Sequence, residues 1–254
     1  MSGVVDNYNL VISSVSNFVN IIFNSVISSF GNLIATESKE KQYSMFCIYR
    51  FFASWIYGFS AVGFYILLTP LIQLWLGDKW MLPGTVTAAI LIDYYFKGER
   101  VVLSNFKTAA GVFEQDKYLP LVQGAVNLII SIVLVRKIGL VGVYIGTIVS
   151  GLLANFIRPV IIYRVCFERK TAGYFIDAVR YVFVIILATV CCVMCGNIFM
   201  KEVTIVSFTI MLVVITLVFN GLFLLFFGRT DEFRYLFALF RDKAYALINR
   251  LHYR

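Results

Sequence analysis

Seven apolar runs, separated by short polar stretches, set the pattern of this chain: about 8–35, 51–76, 84–107, 119–135, 139–163, 175–199 and 203–227. A helix needs roughly 17–25 apolar residues to cross a hydrocarbon core about 30 Å thick, and each run falls in or close to that range. The pattern predicts an all-α, polytopic transmembrane helical bundle of about seven spans. Outer-membrane strands are excluded, because they run about 10 residues with strict alternation. Only Arg136-Lys137-Ile138 separates the fourth run from the fifth, which predicts a tight helical hairpin.

Two of the runs carry polar residues in a pattern that needs a reason. In the first, Ser13, Asn17, Asn20, Asn24 and Ser28 recur at spacings of four, three, four and four, and Asn32 continues the line. On a helix they form one stripe, which lipid would penalise. Packing against other helices and lining a hydrated passage both answer that cost. The third run holds Asp93-Tyr94-Tyr95-Phe96-Lys97-Gly98-Glu99-Arg100 at its middle. Asp93, Lys97 and Arg100 share a helical face. Charges at membrane depth mark functional sites when they face protein or water. The alternative is a short apolar piece ending near Ile92, followed by an interfacial helix.

Composition agrees with a membrane chain. Of the 254 residues 60% are hydrophobic and 14% charged, against about 45–50% and 25% in soluble domains. The net charge of +8 reflects topology and excludes a nucleic-acid groove, since the basic residues are spread over the connections. Those after the first, third and fifth runs (Lys39, Lys41 and Arg50 among them) together with the tail hold 16 Lys and Arg, the opposite side four. The asymmetry predicts a cytoplasmic C-terminus and an external N-terminus. An external start without a basic leader predicts an N-terminally incomplete protein, or one assembled beside another half.

The remaining motifs are structural. Trp75 and Trp80 suit an aromatic belt, Gly142-x-x-x-Gly146 suits close helix approach, and Arg158 suits snorkelling to headgroups. Cys192-Val-Met-Cys195 lies within an apolar run, which suits packing, and neither the five cysteines nor His252 offers a metal set. The tail 229–254 places Phe233, Leu236, Phe237, Phe240, Ala244, Leu247 and Ile248 against Arg234, Arg241, Lys243 and Arg250, as in a basic amphipathic helix on the inner leaflet.

Several of these stretches resemble a family. Gly31-Asn32-Leu33-Ile34-Ala35-Thr36-Glu37-Ser38-Lys39-Glu40, Leu74-Trp75-Leu76-Gly77-Asp78, Asp116-Lys117-Tyr118, Asn127 and Gly139 through Thr147 look like bacterial Wzx-type polysaccharide flippases of the multidrug/oligosaccharidyl-lipid/polysaccharide superfamily. The resemblance covers roughly residues 5–170. It implies a second bundle of that fold over 1–165, two extra C-terminal helices over 166–228, and the tail. It also implies translocation of undecaprenyl-diphosphate-linked oligosaccharide across the bacterial inner membrane by alternating access. Members have 12 or 14 spans, so this chain would be a partial transporter, partnered by an upstream transmembrane half or by other polysaccharide-assembly proteins. The stripe Ser13, Asn17, Asn20, Asn24 and Ser28, with Asp93, Lys97, Arg100 and Asn127, would line the cavity. No cofactor is implied, and energy would come from a proton, sodium or product gradient. A membrane-embedded enzyme acting on lipid-linked sugars is the alternative, weakened by short outer connections, and a non-transporting scaffold is the other.

Overall fold

A computed structural model describes residues 2–252, with side chains over 3–242. Among the described residues the chain is helical throughout, without strands. The helices are α1 (Ser2–Asn24), α2 (Ile27–Thr36), α3 (Lys39–Leu76), α4 (Gly84–Ala109), α5 (Leu119–Ile138), α6 (Leu140–Ile162), α7 (Ala172–Phe199), α8 (Ile205–Phe227) and α9 (Asp231–His252). Six stretches are long and apolar enough to cross a membrane: 3–36, 39–76, 114–138, 140–167, 172–199 and 205–227. The remaining expected span, α4, has 26 residues but too many charges at its middle to join them. It runs without interruption past Ile92, so the sequence does not divide there into an apolar piece and a separate helix.

The first expected span is interrupted. Asn24 ends α1, and Ser25 and Val26 form a turn before α2. Asn and Ser compete with the helix for backbone hydrogen bonds, and here the Ser25 hydroxyl donates to the Ile22 carbonyl at 2.7 Å. The second span is longer than its apolar run. With 38 residues, α3 measures about 57 Å at 1.5 Å per residue. Ser38 caps its start by accepting from the Lys41 backbone N–H, and Gly77 ends it at φ 87°. Arg50, expected in a cytoplasmic connection, therefore sits inside a helix, and its side chain is buried.

The hairpin of α5 and α6 turns on Gly139 alone, at φ 63°, a conformation glycine adopts at little cost. The two helices then pack through small residues. A Cβ on Gly142 would lie 2.5 Å from the Leu134 carbonyl, and one on Gly146 would lie 2.2 Å from the Ser131 hydroxyl. The glycine pair is thus a packing motif, as its spacing suggested.

Two apolar clusters share α3. One joins it to α1, α4 and the π-helical segment Tyr163–Phe167 through Tyr8, Phe23, Phe46, Leu103 and Phe106. The other joins it to α7 and α8 through Phe51, Cys192, Met211, Ile215, Phe219 and Phe223. Cys192 is there a buried packing residue, and all five cysteines are free thiols. Trp75 and Trp80 are exposed near the end of α3. Of the amphipathic tail, Leu236 is buried and Phe237 and Phe240 are exposed. Lys243, Ala244, Leu247, Ile248, Arg250 and His252 lie outside the described side chains.

Candidate functional site

The buried face of α1 consists of Val5, Tyr8, Ile12, Val19 and Phe23, spaced three, four and seven residues apart as on one side of a helix. The polar stripe, which continues across the break onto α2, faces elsewhere: Ser13, Asn17, Asn24, Ser28 and Asn32 are exposed and Asn20 is half-buried. Their surroundings differ in detail. The Ser13 hydroxyl donates to its own helix, at the Leu10 carbonyl. Asn20 Oδ1 accepts from the Tyr57 hydroxyl at 2.6 Å, and Asn24 Oδ1 accepts from Asn105 Nδ2 at 3.2 Å. Asn17 has no protein partner among the described residues. Helix packing therefore accounts for Asn20 and partly for Asn24, and the described residues leave the rest of the stripe uncovered.

On α4, Asp93, Lys97 and Arg100 do come together. Asp93 is buried, with Lys97 Nζ 2.6 Å from Oδ2 and Arg100 Nη2 3.8 Å from Oδ1. Lys97 is 59% exposed at its side chain and Arg100 only 14%. Arg100 lies across α6: Nη1 donates to Asn155 Oδ1 at 2.9 Å, and a Cβ on Gly151 would meet that nitrogen at 2.5 Å. Gly151 thus leaves the space that the guanidinium fills. Asn155 in turn donates to the Phe96 carbonyl, closing a bridge between α4 and α6. Of the three charged groups only Lys97, while paired with Asp93, has a side chain open to a ligand.

The stripe and these charges do not form one cluster. Asn105, which reaches α1, is roughly 140° around α4 from Arg100 at 100° per residue. Asn127 belongs to neither group. Its Nδ2 lies 3.2 Å from Thr147 Oγ1 and 3.3 Å from Ser150 Oγ, so it joins α5 to α6. Arg158 does not snorkel. It is held by Asp116 at 3.0 Å and by the Ser104 hydroxyl, and Asp116 also binds Lys107 at 2.8 Å.

Sequence reasoning missed a buried ion pair. Arg50 Nε stands 3.7 Å from Glu99 Oε2, with both side chains nearly inaccessible. Glu99 Oε1 accepts from the hydroxyls of Ser54 and Tyr95. Arg50 Nη2 donates to the Tyr174 carbonyl at 2.9 Å, and its guanidinium lies 3.4 Å from the centre of the Tyr174 ring. The pair therefore ties α3, α4 and the start of α7. Glu99 also lines a cavity of about 80 Å³ with Asn155, Phe156 and Tyr174. The available signal was spacing: Arg50 and Ser54 are four residues apart, as are Tyr95 and Glu99.

The polar break between α1 and α2 was also hidden. The Phe23 carbonyl there accepts from the Tyr49 hydroxyl at 2.6 Å and from Asn105 Nδ2 at 3.2 Å. Side chains of α3 and α4 thereby satisfy a carbonyl at the end of α1, as buried broken helices require. The chain matches no family model, no curated protein and no solved structure.

Proposed function

We propose that this chain is part of a transporter that moves undecaprenyl-diphosphate-linked oligosaccharide across the bacterial inner membrane by alternating access, with its C-terminus cytoplasmic. The observation that carries this reading is the exposed polar line Ser13, Asn17, Ser28 and Asn32, with Asn24 partly covered, on a stretch long and apolar enough to span. Amides left facing hydrocarbon would each cost several kcal/mol, on the order of the unsatisfied-group penalty. Water and sugar hydroxyls, which both donate and accept, meet that demand along a cavity wall.

Lys97 adds an accessible cation at mid-helix, held in place by buried Asp93. A diphosphate recruits such a charge while the polyprenyl tail stays in lipid. The wall needs an opposite side, because alternating access works by rocking two bundles about a shared site. A second bundle, on an upstream segment or a separate polypeptide, supplies it in this reading, and the whole follows the arrangement of the polysaccharide flippases that the sequence resembles.

The test is rescue of surface polysaccharide in a strain lacking its own flippase. This chain joined to an upstream bundle of that family is expected to restore it, and Asn17→Leu with Asn24→Leu to reduce rescue at unchanged protein level. Failure of a joined protein that inserts normally would overturn the proposal. So would lengthened oligosaccharide in vesicles holding the purified chain and labelled lipid-linked substrate, the outcome expected of a polymerase.

A further inference from the structure

We propose that the seam between α4 and α7 holds one acyl chain of a membrane phospholipid, with the ester groups of that lipid at the end where α4 begins. Both helices pack on α3, and their backbones scarcely approach each other. The gap between them is an apolar space of about 380 Å³, floored by Ala61, Val62 and Tyr65 of α3. Ile92 of α4 and Ile186 of α7 are its exposed lips. The space therefore opens sideways, towards hydrocarbon in a chain that spans as proposed. Its one aliphatic hydroxyl, on Thr189, donates to the Ile185 carbonyl at 2.8 Å, so a hydrocarbon chain lying against it leaves that group satisfied.

The two ends of the space set the length of the occupant and its direction. Along α4 the apolar part runs from Ala88 to Phe96, about 12 Å at 1.5 Å per residue. That is close to the depth of one leaflet of a core about 30 Å thick. Past Phe96 it gives way to the cavity of about 80 Å³, where Glu99 and Asn155 take over the wall. The chain ends there, because buried Glu99 has an oxygen without a hydrogen bond, which hydrocarbon cannot supply. At the other end lies a second space of about 360 Å³, which shares Tyr65 and is lined by Thr69, Thr87 and Asn197. It sits near the ends of α3 and α7 and the start of α4, at the level of the membrane interface.

The chemistry of this mouth selects the lipid. Asn197 is exposed and has no partner among the described residues. The Thr69 hydroxyl accepts from Tyr8 at 3.3 Å and keeps its own proton to donate. An amide and a hydroxyl are donors, suited to the ester carbonyls where the chains of a phospholipid join its glycerol. None of the described residues lining the mouth is charged. A polyprenyl diphosphate brings an ionised head that calls for Lys or Arg at this point, so the seam is separate from the route proposed for the transported lipid. The inference rests on the chain spanning a membrane and not on its transport activity.

Photolabelling tests the seam. The purified chain is placed in vesicles of phosphatidylethanolamine and phosphatidylglycerol containing a phospholipid with a diazirine on one acyl chain, and the adducts are mapped by mass spectrometry. Labelling at Ile92 and Ile186 is expected to saturate as the probe fraction rises, while labelling at Leu217 and Leu225, exposed on α8, rises in proportion. Ala88→Phe, which fills the apolar space, should abolish the saturable labelling and leave that of α8 unchanged. If Ala88→Phe does not fold, Asn197→Leu decides instead: half-saturation should then need several-fold more probe. Proportional labelling at Ile92 and Ile186 would overturn the proposal, as would wild-type saturation in Ala88→Phe or in Asn197→Leu. Displacement of the probe by undecaprenyl phosphate more readily than by unlabelled phospholipid would also overturn it, by giving the seam to a polyprenyl chain. Failed polysaccharide rescue leaves this proposal standing, and a negative labelling result leaves the transporter proposal standing.

Discussion

Gly98 of α4 lies so close to the ring of Tyr57 on α3 that a Cβ there would come within 2.2 Å of the ring. The ring cannot swing aside freely, because its hydroxyl is bonded to Asn20 of α1. One glycine thus sets the approach of three helices. Gly98→Ala should destabilise the fold by about 1–3 kcal/mol, the usual cost of overpacking. Gly63→Ala, where nothing stands within 4 Å, should not. Unfolding midpoints of the two variants in the same detergent check this.

The Arg50–Glu99 pair gives an asymmetric expectation. Removing one partner leaves a buried charge uncompensated, at about 3–5 kcal/mol, whereas replacing both by apolar residues is often neutral or better. Arg50→Met alone should therefore be severely destabilised, and Arg50→Met with Glu99→Leu should recover most of the loss. A double variant no better than the single one would show that the contacts of Arg50 with Tyr174 matter more than its charge.

Single cysteines in a cysteine-free background should separate the two faces of the α1–α2 stretch. Those at Asn17 and Ser28 are expected to react with an impermeant thiol reagent, and those at Ile12, Val19 and Phe23 to resist it. Periodicity alone groups Ile22 with the protected set, yet it is exposed. In this geometry Ile22 reacts only if water, not lipid, lies against it, so its labelling reports how wide the wetted face is.

Lys97 and Arg100 should part company. Lys97 is exposed but pairs with buried Asp93, so Lys97→Ala should lower rescue with a smaller fall in the unfolding midpoint than Arg100→Ala gives. Arg100→Ala removes the bridge to Asn155 and weakens the cover over Asp93, so stability should fall with activity. Rescue and midpoint measured on the same variants check the distinction.

Much of this architecture was legible as periodicity. Apolar runs and their punctuation located α5 to α8 closely, and the glycine spacing identified the hairpin contact. Arg50 escaped because the apolar run begins at the next residue, which makes a buried guanidinium look like a flanking cation. Its partner Glu99 lies 49 residues away, and pairing over such distance leaves no local pattern. The break at Asn24-Ser25 escaped for a different reason. Asn is tolerated inside many helices, and only the presence of Tyr49 and Asn105 opposite makes a non-helical turn affordable here.

The single-residue link at Gly139 also bears on how the protein reaches its membrane. Two helices joined by one residue are held antiparallel from the moment they form, so a chain that spans as proposed would bring α5 and α6 to the bilayer as a hairpin. Arg136 and Lys137 ride in the last turn of α5, at the leading edge of that pair. In the proposed orientation these two cations are the part of the hairpin that has to cross the hydrocarbon.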